Sequence, residues 1–510
     1  MWWLTLVAGA LLMTGCALPS LNLRVPSSSL KETADTRLGR AITPKLLAHP
    51  SESGIYTLTG ARDAFAARVL LADAAERSID AQYYIWHADR TGKLLFEALW
   101  RAADRGVRVR LLIDDNTTTG LDPTLAALSA HKNIELRLFN PLVNRGARWT
   151  NYLFDFSRLN HRMHNKSFTV DNQVTIVGGR NIGDEYFDAG TRLSYIDMDV
   201  LAVGPVVQEV SDQFDLYWNS ASAYPAGMLL EQPPPDSAEH LTTTFAATPV
   251  DPLAAQYLAA LRETQIVTDL GQGELPLEWT KARLVYDDPA KALDTKQQRE
   301  DILLLARLLA MTAPPTSEFD LISPYFVPRS RGGGDLEGLA RRGVRVRVLT
   351  NSLESTDVIA VHAGYIKYRK DLLQAGVKLY ELQRKELPQR SDAERKAGVR
   401  SATGLHAKTF QIDSKVAFVG SFNFDPRSAR LNTEMGVVID SASLAQRITQ
   451  FFDSRITSAA YQLRLSEKND IQWTATTADG LKVYDTEPGT STGRRAKVRF
   501  LAILPIEGLL

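Results

Sequence analysis

Two histidine–lysine pairs are the residues of this chain whose types and spacing are best suited to chemistry, because one pattern occurs twice. In each copy a histidine and a lysine stand two residues apart, an aspartate follows five residues after the lysine, and a glycine-led run begins after six further residues. The first copy is His164, Lys166, Asp171 and Gly178-Gly179-Arg180-Asn181; the second is His406, Lys408, Asp413 and Gly420-Ser421-Phe422-Asn423. Two matches in one register indicate a shared chemical role.

The spacing predicts that each pair presents an imidazole and an ammonium side by side, since residues two apart in a strand point to one face. A phosphate fits such a pair. Exchange at a phosphodiester needs a nucleophile, a proton donor for the departing alkoxide, and cations or amides around the non-bridging oxygens. A neutral imidazole can attack phosphorus, and a protonated one can donate in line. This chemistry requires neither a metal nor a cofactor, and the residues expected to hold the oxygens are Lys166, Lys408, Asn181 and Asn423.

Hairpins of buried strands are expected to position both pairs. Each His-x-Lys leads into an apolar run that contains Phe168 in the first copy and Phe410 in the second, and another apolar run follows a short polar turn. Asp171 and Asp413 fall at these turns. We therefore expect the two aspartates to stabilise structure rather than to react.

Repetition extends beyond the histidine–lysine pairs and predicts the fold class. Residues 105–112 (RGVRVRLL) and 342–349 (RGVRVRVL) are nearly identical. Strands alternate with helices, which predicts an α/β protein made of a duplicated unit, with sheets covered on both faces. The arginines in these runs alternate with valines and are expected on the outward face of strands near a sheet edge; they are Arg108, Arg110, Arg345 and Arg347.

Length, charge and cysteine count limit the number of domains, the class of partner and the disulfides that the chain can have. With 510 residues the chain is long enough for two to four domain-sized units. Its 59 basic and 59 acidic residues give a formal net charge of zero, so bulk electrostatics predict no nucleic-acid partner. Cys16 is the only cysteine, which excludes an intramolecular disulfide.

The repeated HxKxxxxD pattern, followed by GGxN or GSxN, resembles the phospholipase D superfamily. The resemblance implies a phosphohistidine intermediate at the interface of two packed repeats, with His164 as nucleophile and His406 as general acid; the opposite order stays open. It also implies that an acid beyond each motif orients the histidine of that motif, Asp197 for the first and Glu434 for the second. Gly179 and Ser421 are expected to contact substrate.

Two further stretches look like the type-C bacterial cardiolipin synthases: residues 162–166 (RMHNK) and the closing residues 498–510. The run 355–365 resembles a stretch that lines the cleft of cardiolipin-synthase-like proteins, so His362 within it is a candidate substrate contact. His161 has no lysine two positions on and is expected to be a bystander or a wall of the cleft. Four basic residues at 494–499 precede a short apolar run, which suits either anionic lipid headgroups with shallow insertion or a last strand packed on the core.

The N-terminus indicates targeting. An apolar run from Trp2 to Met13 ends in Met13-Thr14-Gly15-Cys16, which resembles a bacterial lipobox. It predicts a lipid anchor at Cys16 on a periplasm-facing protein of the bacterial cell envelope, at the outer or the inner membrane. The predicted organisation is: signal peptide 1–16, tether 17–53, N-terminal phospholipase D-like repeat 54–222, linker 223–248, C-terminal repeat 249–465 and tail 466–510.

Three functions compete at this point. The first is a phosphatidyltransferase that joins the phosphatidyl group of one lipid to phosphatidylglycerol and yields cardiolipin, with phosphatidylethanolamine as a further candidate lipid. The second is hydrolysis by the same residues, as a phospholipase D or another phosphodiesterase, including a nuclease. The third is a non-catalytic lipoprotein that binds lipid or a partner, which two complete motifs disfavour.

Overall fold

A computed structural model of the chain describes residues 18–190, 193–272, 275–293, 300–328, 330–385, 402–477, 479–505 and 507. The expected signal peptide and Cys16 lie outside these residues. The strands are β1 (Ser53–Leu58), β2 (Ser78–Tyr83), β3 (Arg108–Asp114), β4 (Ile134–Phe139), β5 (Ser167–Val170), β6 (Val174–Gly178), β7 (Leu193–Ile196), β8 (Asp199–Val203), β9 (Ala223–Pro225), β10 (Glu278–Thr280), β11 (Ala282–Tyr286), β12 (Glu318–Ile322), β13 (Arg345–Asn351), β14 (Lys378–Leu382), β15 (Ala402–Leu405), β16 (Thr409–Ile412), β17 (Val416–Gly420), β18 (Met435–Ile439), β19 (Ala460–Leu465), β20 (Ile471–Thr477) and β21 (Gly480–Tyr484).

Two large mixed sheets are built around the two motifs. The first has the order β10-β1-β8-β6-β5-β2-β3-β4-β9, and the second has the order β11-β18-β17-β16-β12-β13-β14-β19-β20-β21. In each sheet, parallel strands (β2-β3-β4 or β12-β13-β14) adjoin an antiparallel hairpin (β5-β6 or β16-β17). The predicted duplicated α/β fold is confirmed.

The helices surround these sheets. They are α1 (Arg37–Ala48), α2 (Ala61–Ala74), α3 (Arg90–Asp104), α4 (Asp122–Ser129), α5 (Arg148–Phe154), α6 (Phe156–Leu159), α7 (Pro205–Trp218), α8 (Ser237–Ala247), α9 (Pro252–Arg262), α10 (Gln265–Gln272), α11 (Leu304–Met311), α12 (Ser330–Arg341), α13 (Ile359–Tyr365), α14 (Arg369–Gln374), α15 (Pro426–Arg430), α16 (Ala442–Gln450), α17 (Ile456–Ala459) and α18 (Thr492–Ile503). None of the helices in the described ranges is long and apolar enough to cross a membrane.

Both faces of each sheet are buried, as alternate residues of single strands show. In β8, Leu201 joins a core cluster made with α2 and α3, whereas Val200 joins a cluster that also contains residues of the second repeat, such as Val437. In β18, Val437 joins this shared cluster while its neighbour Val438 joins the outer core of the second repeat. The two repeats therefore share one hydrophobic core between their inner faces, and this core fixes their relative position.

Asp171 and Asp413, the aspartates of the two motifs, lie in the hairpin turns and have a structural role there. Asp171 follows β5 with φ at 50°, and its carboxylate accepts hydrogen bonds from the amides of Glu76, Arg77 and Ser78 at 3.0, 2.7 and 2.9 Å. Asp413 has φ at 52° and accepts in the same way from the amides that begin at Thr316. Each aspartate thus joins its turn to the start of a neighbouring strand.

The outward position expected for the strand arginines is wrong for two of them. Arg110 is fully buried, and its guanidinium donates to both carboxylate oxygens of Asp80 at 2.7 and 2.8 Å. Arg347 makes the equivalent pair with Asp320 at 2.6 and 2.7 Å. Alternation with valine failed as a guide because β3 and β13 lie inside their sheets, where a charge can be buried once a neighbouring strand supplies its counter-ion.

Segments expected as tether, linker and tail have ordered structure. In the tether, the Arg24 guanidinium donates to the carbonyl of Asn219 at 2.6 Å. The linker region contains β9, which pairs with β4, and α8, whose Phe245 enters the core of the first repeat. Strand β10 pairs with β1, so packing on the first sheet extends past residue 248. The tail adds β20 and β21 to the second sheet, and its residues Thr492–Ile503 form the helix α18 rather than a strand.

Candidate active site

Strand pairing between the repeats brings the two motifs together. Strand β15, which leads directly into His406, pairs in parallel with β7 of the first repeat. On the other side, the amide of His164 donates to the carbonyl of Thr433 at 2.8 Å. Both histidines are buried at this junction. The site is therefore a property of the interface, as the resemblance implied.

Each histidine is oriented by a carboxylate from the opposite repeat. Nδ1 of His164 lies 2.8 Å from Oε2 of Glu434, and Nδ1 of His406 lies 2.6 Å from Oδ2 of Asp197. The predicted assignment of Asp197 to the first histidine and Glu434 to the second is wrong. The reason is the pairing between repeats: Asp197 follows β7, which lies beside the strand that leads to His406, and Glu434 follows Thr433, which is bonded to His164.

The two lysines are buried beside the histidines and repeat one geometry. Nζ of Lys166 donates to the carbonyl of His164 at 2.5 Å, and Nζ of Lys408 donates to the carbonyl of His406 at 2.5 Å. Burial lowers the pKa of Lys408 to about 8, and burial lowers that of Lys166 well below its usual value. The charge of Lys408 also lowers the pKa of Lys166 by repulsion.

Burial and the charge of a neighbouring lysine also lower the pKa values of the two histidines. Burial lowers the pKa of His164 well below 6.5, and the charges of Lys166 and Lys408 lower it further. Burial and Lys408 also lower the pKa of His406, whereas Asp197 opposes this shift. Four basic groups thus crowd one buried site, and a bound anion would relieve their repulsion and raise their pKa values.

The pKa values of the two orienting acids are shifted in opposite directions. Burial would raise the pKa of Asp197, but the charge and hydrogen bond of His406, with Lys408, lower it to about 2. Burial raises the pKa of Glu434 to about 7, against the opposing charge of Lys166. At neutral pH an ionised Asp197 can only accept a hydrogen bond, so Nδ1 of His406 donates and Nε2 is left for the substrate.

The small residues of the glycine-led runs contact the acids. A Cβ on Gly179 would lie 2.2 Å from Oδ1 of Asp197, so only glycine leaves room for this carboxylate. At the matching position, Ser421 Oγ donates to Oε2 of Glu434 at 2.5 Å. Roles in substrate contact stay predictions for both residues, but their positions show how each acid is held.

The two asparagines differ in their partners. Oδ1 of Asn181 accepts from the amide of Ile85 at 3.2 Å, and its Nδ2 donates to the Tyr186 hydroxyl at 3.1 Å. Asn423 is also buried, but within the described ranges its Oδ1 meets no hydrogen-bond partner. The Oδ1 of Asn423 can therefore accept a hydrogen bond from a ligand hydroxyl, whereas Asn181 is engaged in holding the loop after β2.

Tyrosines wall both histidines, and sequence reasoning missed them. The Tyr84 ring meets His164 edge-on at 5.1 Å and lies 5.6 Å from Nζ of Lys166. Tyr186 and Tyr195 lie 5.0 and 5.1 Å from the His406 ring. Tyr84 lies in the stretch that follows β2, directly after Tyr83, and this position at a strand end was the available signal.

His161 and His362, the two other histidines considered from the sequence, contact residues of the same chain. Nδ1 of His161 lies 2.8 Å from the carbonyl of Ser157, and the residue is buried. Nε2 of His362 lies 3.0 Å from Glu487 of the tail and 2.8 Å from Arg369. These contacts join α13 to the tail, and a substrate contact at His362 stays a prediction. No group of three or more His, Cys, Asp or Glu in the described part of the chain is placed to hold a metal ion.

Comparisons with known proteins show the family to which this chain belongs. The family profile described as "Cardiolipin synthase, PLD-like domain" matches residues 70–218 and 308–456. Cardiolipin synthase C of Escherichia coli is 48% identical over 476 residues, which cover 93% of this chain and 100% of that protein. The major cardiolipin synthase of Bacillus subtilis is 24% identical over 79% of this chain and 68% of its own length. The crystal structure of phosphatidylserine synthase from Haemophilus influenzae has a similar fold, with a TM-score of 0.55 at 12% identity, over 93% of this chain and 99% of that one.

Proposed function

This chain belongs to the cardiolipin synthase family of the phospholipase D superfamily, and from this premise we propose that it transfers a phosphatidyl group onto phosphatidylglycerol. It is a phosphatidyltransferase, and its substrates are phospholipids. The observation that carries the two-step exchange at phosphorus is the crossed pair of buried histidines, each held at Nδ1 by an acid of the other repeat. This arrangement leaves two imidazole nitrogens for one phosphodiester.

The first half-reaction assigns one task to each histidine. Nε2 of neutral His164 attacks phosphorus of the donor lipid, a P–N bond forms and the P–O bond to the headgroup breaks. Protonated His406 donates its proton to the departing headgroup oxygen. The lowered pKa of His164 keeps it neutral and nucleophilic, while the ionised Asp197 stabilises the imidazolium of His406. Lys166, Lys408 and the Nδ2 group of Asn423 would donate hydrogen bonds to the non-bridging oxygens.

The second half-reaction returns the enzyme to its starting state. Neutral His406 takes the proton of a phosphatidylglycerol hydroxyl, whose oxygen attacks phosphorus as the P–N bond to His164 breaks. Cardiolipin forms and His406 is protonated again. If water takes the place of the lipid hydroxyl, the same steps yield phosphatidic acid, so the alternatives of a phospholipase D or another phosphodiesterase differ only in the acceptor.

The test follows labelled lipid through both half-reactions. Purified full-length protein is incubated with labelled phosphatidylglycerol, with and without phosphatidylethanolamine, and the products are separated. Cardiolipin as the main product supports the proposal, and the His164→Ala protein is the control for background. Phosphatidic acid as the main product at every acceptor concentration would replace it with the phospholipase D reading.

We also propose that the protein is anchored to a bacterial envelope membrane through lipid on Cys16. Support comes from the lipobox-like Met13-Thr14-Gly15-Cys16 after an apolar run and from a substrate that resides in membranes. Mass spectrometry of the wild-type and Cys16→Ser proteins tests this. We expect a lipid-sized mass increase only in the wild type, and membrane fractionation should weaken in the variant; equal masses and equal fractionation would contradict the anchor.

A further inference from the structure

The segment 148–156 exposes four large apolar side chains next to the active site. Helix α5 and the start of α6 present Trp149, Leu153, Phe154 and Phe156, which are 69%, 66%, 84% and 49% exposed. Single exposed apolar residues are common on protein surfaces, but four within eight residues form a patch that calls for a partner. We refer to these four side chains as the apolar patch.

Polar residues of the same segment face the protein, which is the reverse of the usual arrangement on a surface helix. Asn151 is buried: its amide group donates to the carbonyl of Asn144 at 2.7 Å and accepts from the amide of Asn144 at 2.8 Å. Arg148 donates to Asp122 at 2.7 Å, and Arg145 donates to Asp115 at 2.7 Å. The base of the segment is therefore fixed by polar contacts while its apolar side chains point outward.

A short chain of contacts joins this segment to the nucleophile. The Tyr152 hydroxyl donates to Oδ1 of Asn116, and the hydroxyl of the next residue, Thr117, donates to the carbonyl of Tyr84 at 2.9 Å. The Tyr84 ring in turn lies 5.1 Å from the His164 ring. The apolar patch and the Tyr84 ring that packs against His164 therefore lie on the same side of the active site.

We propose that the apolar patch docks on the phospholipid bilayer, so that the active site opens toward lipid headgroups. The inference deepens the proposed function and rests on it. Tryptophan, leucine and phenylalanine are the residues that enter the interfacial region of bilayers. A phospholipid substrate keeps its acyl chains in the bilayer while its phosphodiester reaches His164, and a surface on the wall of that site is where the bilayer must approach.

A groove beside the patch fits the same orientation. Phe154 borders a cavity of about 1110 Å³ that lies between α5 and the proline-rich stretch 232–237 (QPPPDS), and Leu229, Pro233 and Pro234 also line it. Polar residues such as Asp155, Glu231 and Gln232 line the same groove, so its surface is mixed, with apolar side chains next to the patch. Insertion of the patch would place this groove at the level of the headgroups and the first acyl carbons.

The direct test uses fluorescence quenching in the full-length Cys16→Ser protein, which removes any covalent lipid. Vesicles of phosphatidylglycerol and phosphatidylethanolamine with brominated acyl chains should quench part of the tryptophan emission. The Trp149→Phe variant should lose a share of that quenching while it keeps its vesicle affinity, because phenylalanine preserves the apolar contact. Identical quenching in both proteins would show that Trp149 does not enter the bilayer and would overturn the proposal.

A second test separates docking from catalysis. The double variant Leu153→Ser, Phe154→Ser should lose roughly tenfold or more in affinity for vesicles, given the apolar area removed. It should keep its turnover of short-chain phosphatidylglycerol dissolved below its micelle concentration. The matched control is Leu47→Ser, Val250→Ser, which removes equally exposed residues at 78% each, away from the patch; we expect it to bind vesicles as the wild type does.

The outcomes distinguish the possible errors. Equal loss on vesicles and on dissolved lipid would give the patch a structural role and overturn the proposal. Self-association that the double variant abolishes, without quenching by brominated lipid, would make a second copy the partner and also overturn it. If the wild type turns over neither substrate but Trp149 is quenched, the proposed function fails while the docking surface stands.

Discussion

Oε2 of Glu434 lies 2.8 Å from Nδ1 of His164, although 270 residues separate them in the chain. The mirror contact joins Asp197 to His406 across 209 residues. Each repeat therefore supplies one buried imidazole and the acid that contacts the imidazole of the other repeat. Neither repeat holds a complete half-site, so any change that separates the repeats should disable both histidines together.

The histidine variants test the assignment of the reacting groups. His164→Ala and His406→Ala should each lower turnover by about a thousandfold or more, since each removes a group that bonds to phosphorus or moves the proton. His161→Ala should stay within a fewfold of wild type, because its Nδ1 contacts the Ser157 carbonyl outside the paired site. Steady-state rates with labelled phosphatidylglycerol measure this, and equal losses in all three variants would contradict the site.

The pH dependence tests which histidine is the acid. Asp197 raises the pKa of His406, so Asp197→Asn should lower that pKa further. Because His406 must be protonated in the first step, its protonated fraction would then be lost at a lower pH, and the alkaline limb of the kcat profile should move to lower pH. The Glu434→Gln variant is the comparison, since Glu434 contacts the other histidine. An alkaline limb that moves with Glu434→Gln and not with Asp197→Asn would favour the opposite order.

Gly179 and Ser421 provide a matched pair of substitutions. Gly179→Ala adds a Cβ only 2.2 Å from Oδ1 of Asp197, so the carboxylate must move from His406, and turnover should fall by about a hundredfold. Ser421→Ala keeps the existing Cβ and removes one hydrogen bond to Glu434, so the loss should be about tenfold or less. If Gly179→Ala has full activity, Asp197 does not act through this position.

Asp171 is expected to affect stability rather than chemistry. Asp171→Ala leaves the amides of Glu76, Arg77 and Ser78 without their acceptor. The free energy of unfolding should fall by about 2–4 kcal/mol, while the folded fraction keeps its kcat within a fewfold. Urea unfolding followed by circular dichroism measures the first quantity. A large loss of kcat with unchanged stability would place Asp171 in the reaction.

Turnover should survive a chelator. Lysine ammonium groups and the Asn423 amide are expected to stabilise the phosphoryl oxygens, so the proposed steps use no cation. Activity is measured after dialysis against EDTA and again after addition of magnesium or calcium. Loss in EDTA with recovery on adding either ion would contradict this part of the mechanism.

Local features of the structure were predictable because they depend on neighbours in the chain. The period of two in a strand places His164 with Lys166, and apolar runs around a polar turn indicate the β5-β6 hairpin. The near-identity of residues 105–112 and 342–349 indicated the duplication. Such signals are local, and no contact between distant segments is needed to interpret them.

Contacts between distant segments were predicted poorly, and the strand arginines show why. Alternation with valine favoured an outward position, but the counter-ion that permits burial of Arg110 is Asp80, thirty residues earlier on the adjacent strand. The proline-rich stretch was a fair indication of a linker, yet Phe245 beyond it fills part of the first core. The composition of a segment indicates its local conformational preference, but it does not indicate which surface of the protein the segment packs against.

The amino-acid sequence by itself determined the two histidine–lysine pairs proposed to react, their duplication and the hairpins that carry them, since residue type and spacing along a strand set which side chains share a face. Tertiary structure alone decided which acid serves which histidine. The parallel pairing of β7 with β15 and the Thr433–His164 hydrogen bond carry Asp197 and Glu434 across the interface. Hydrogen bonds between strands depend on which edges meet once the shared core is buried, and that choice is made by the whole fold rather than by either motif.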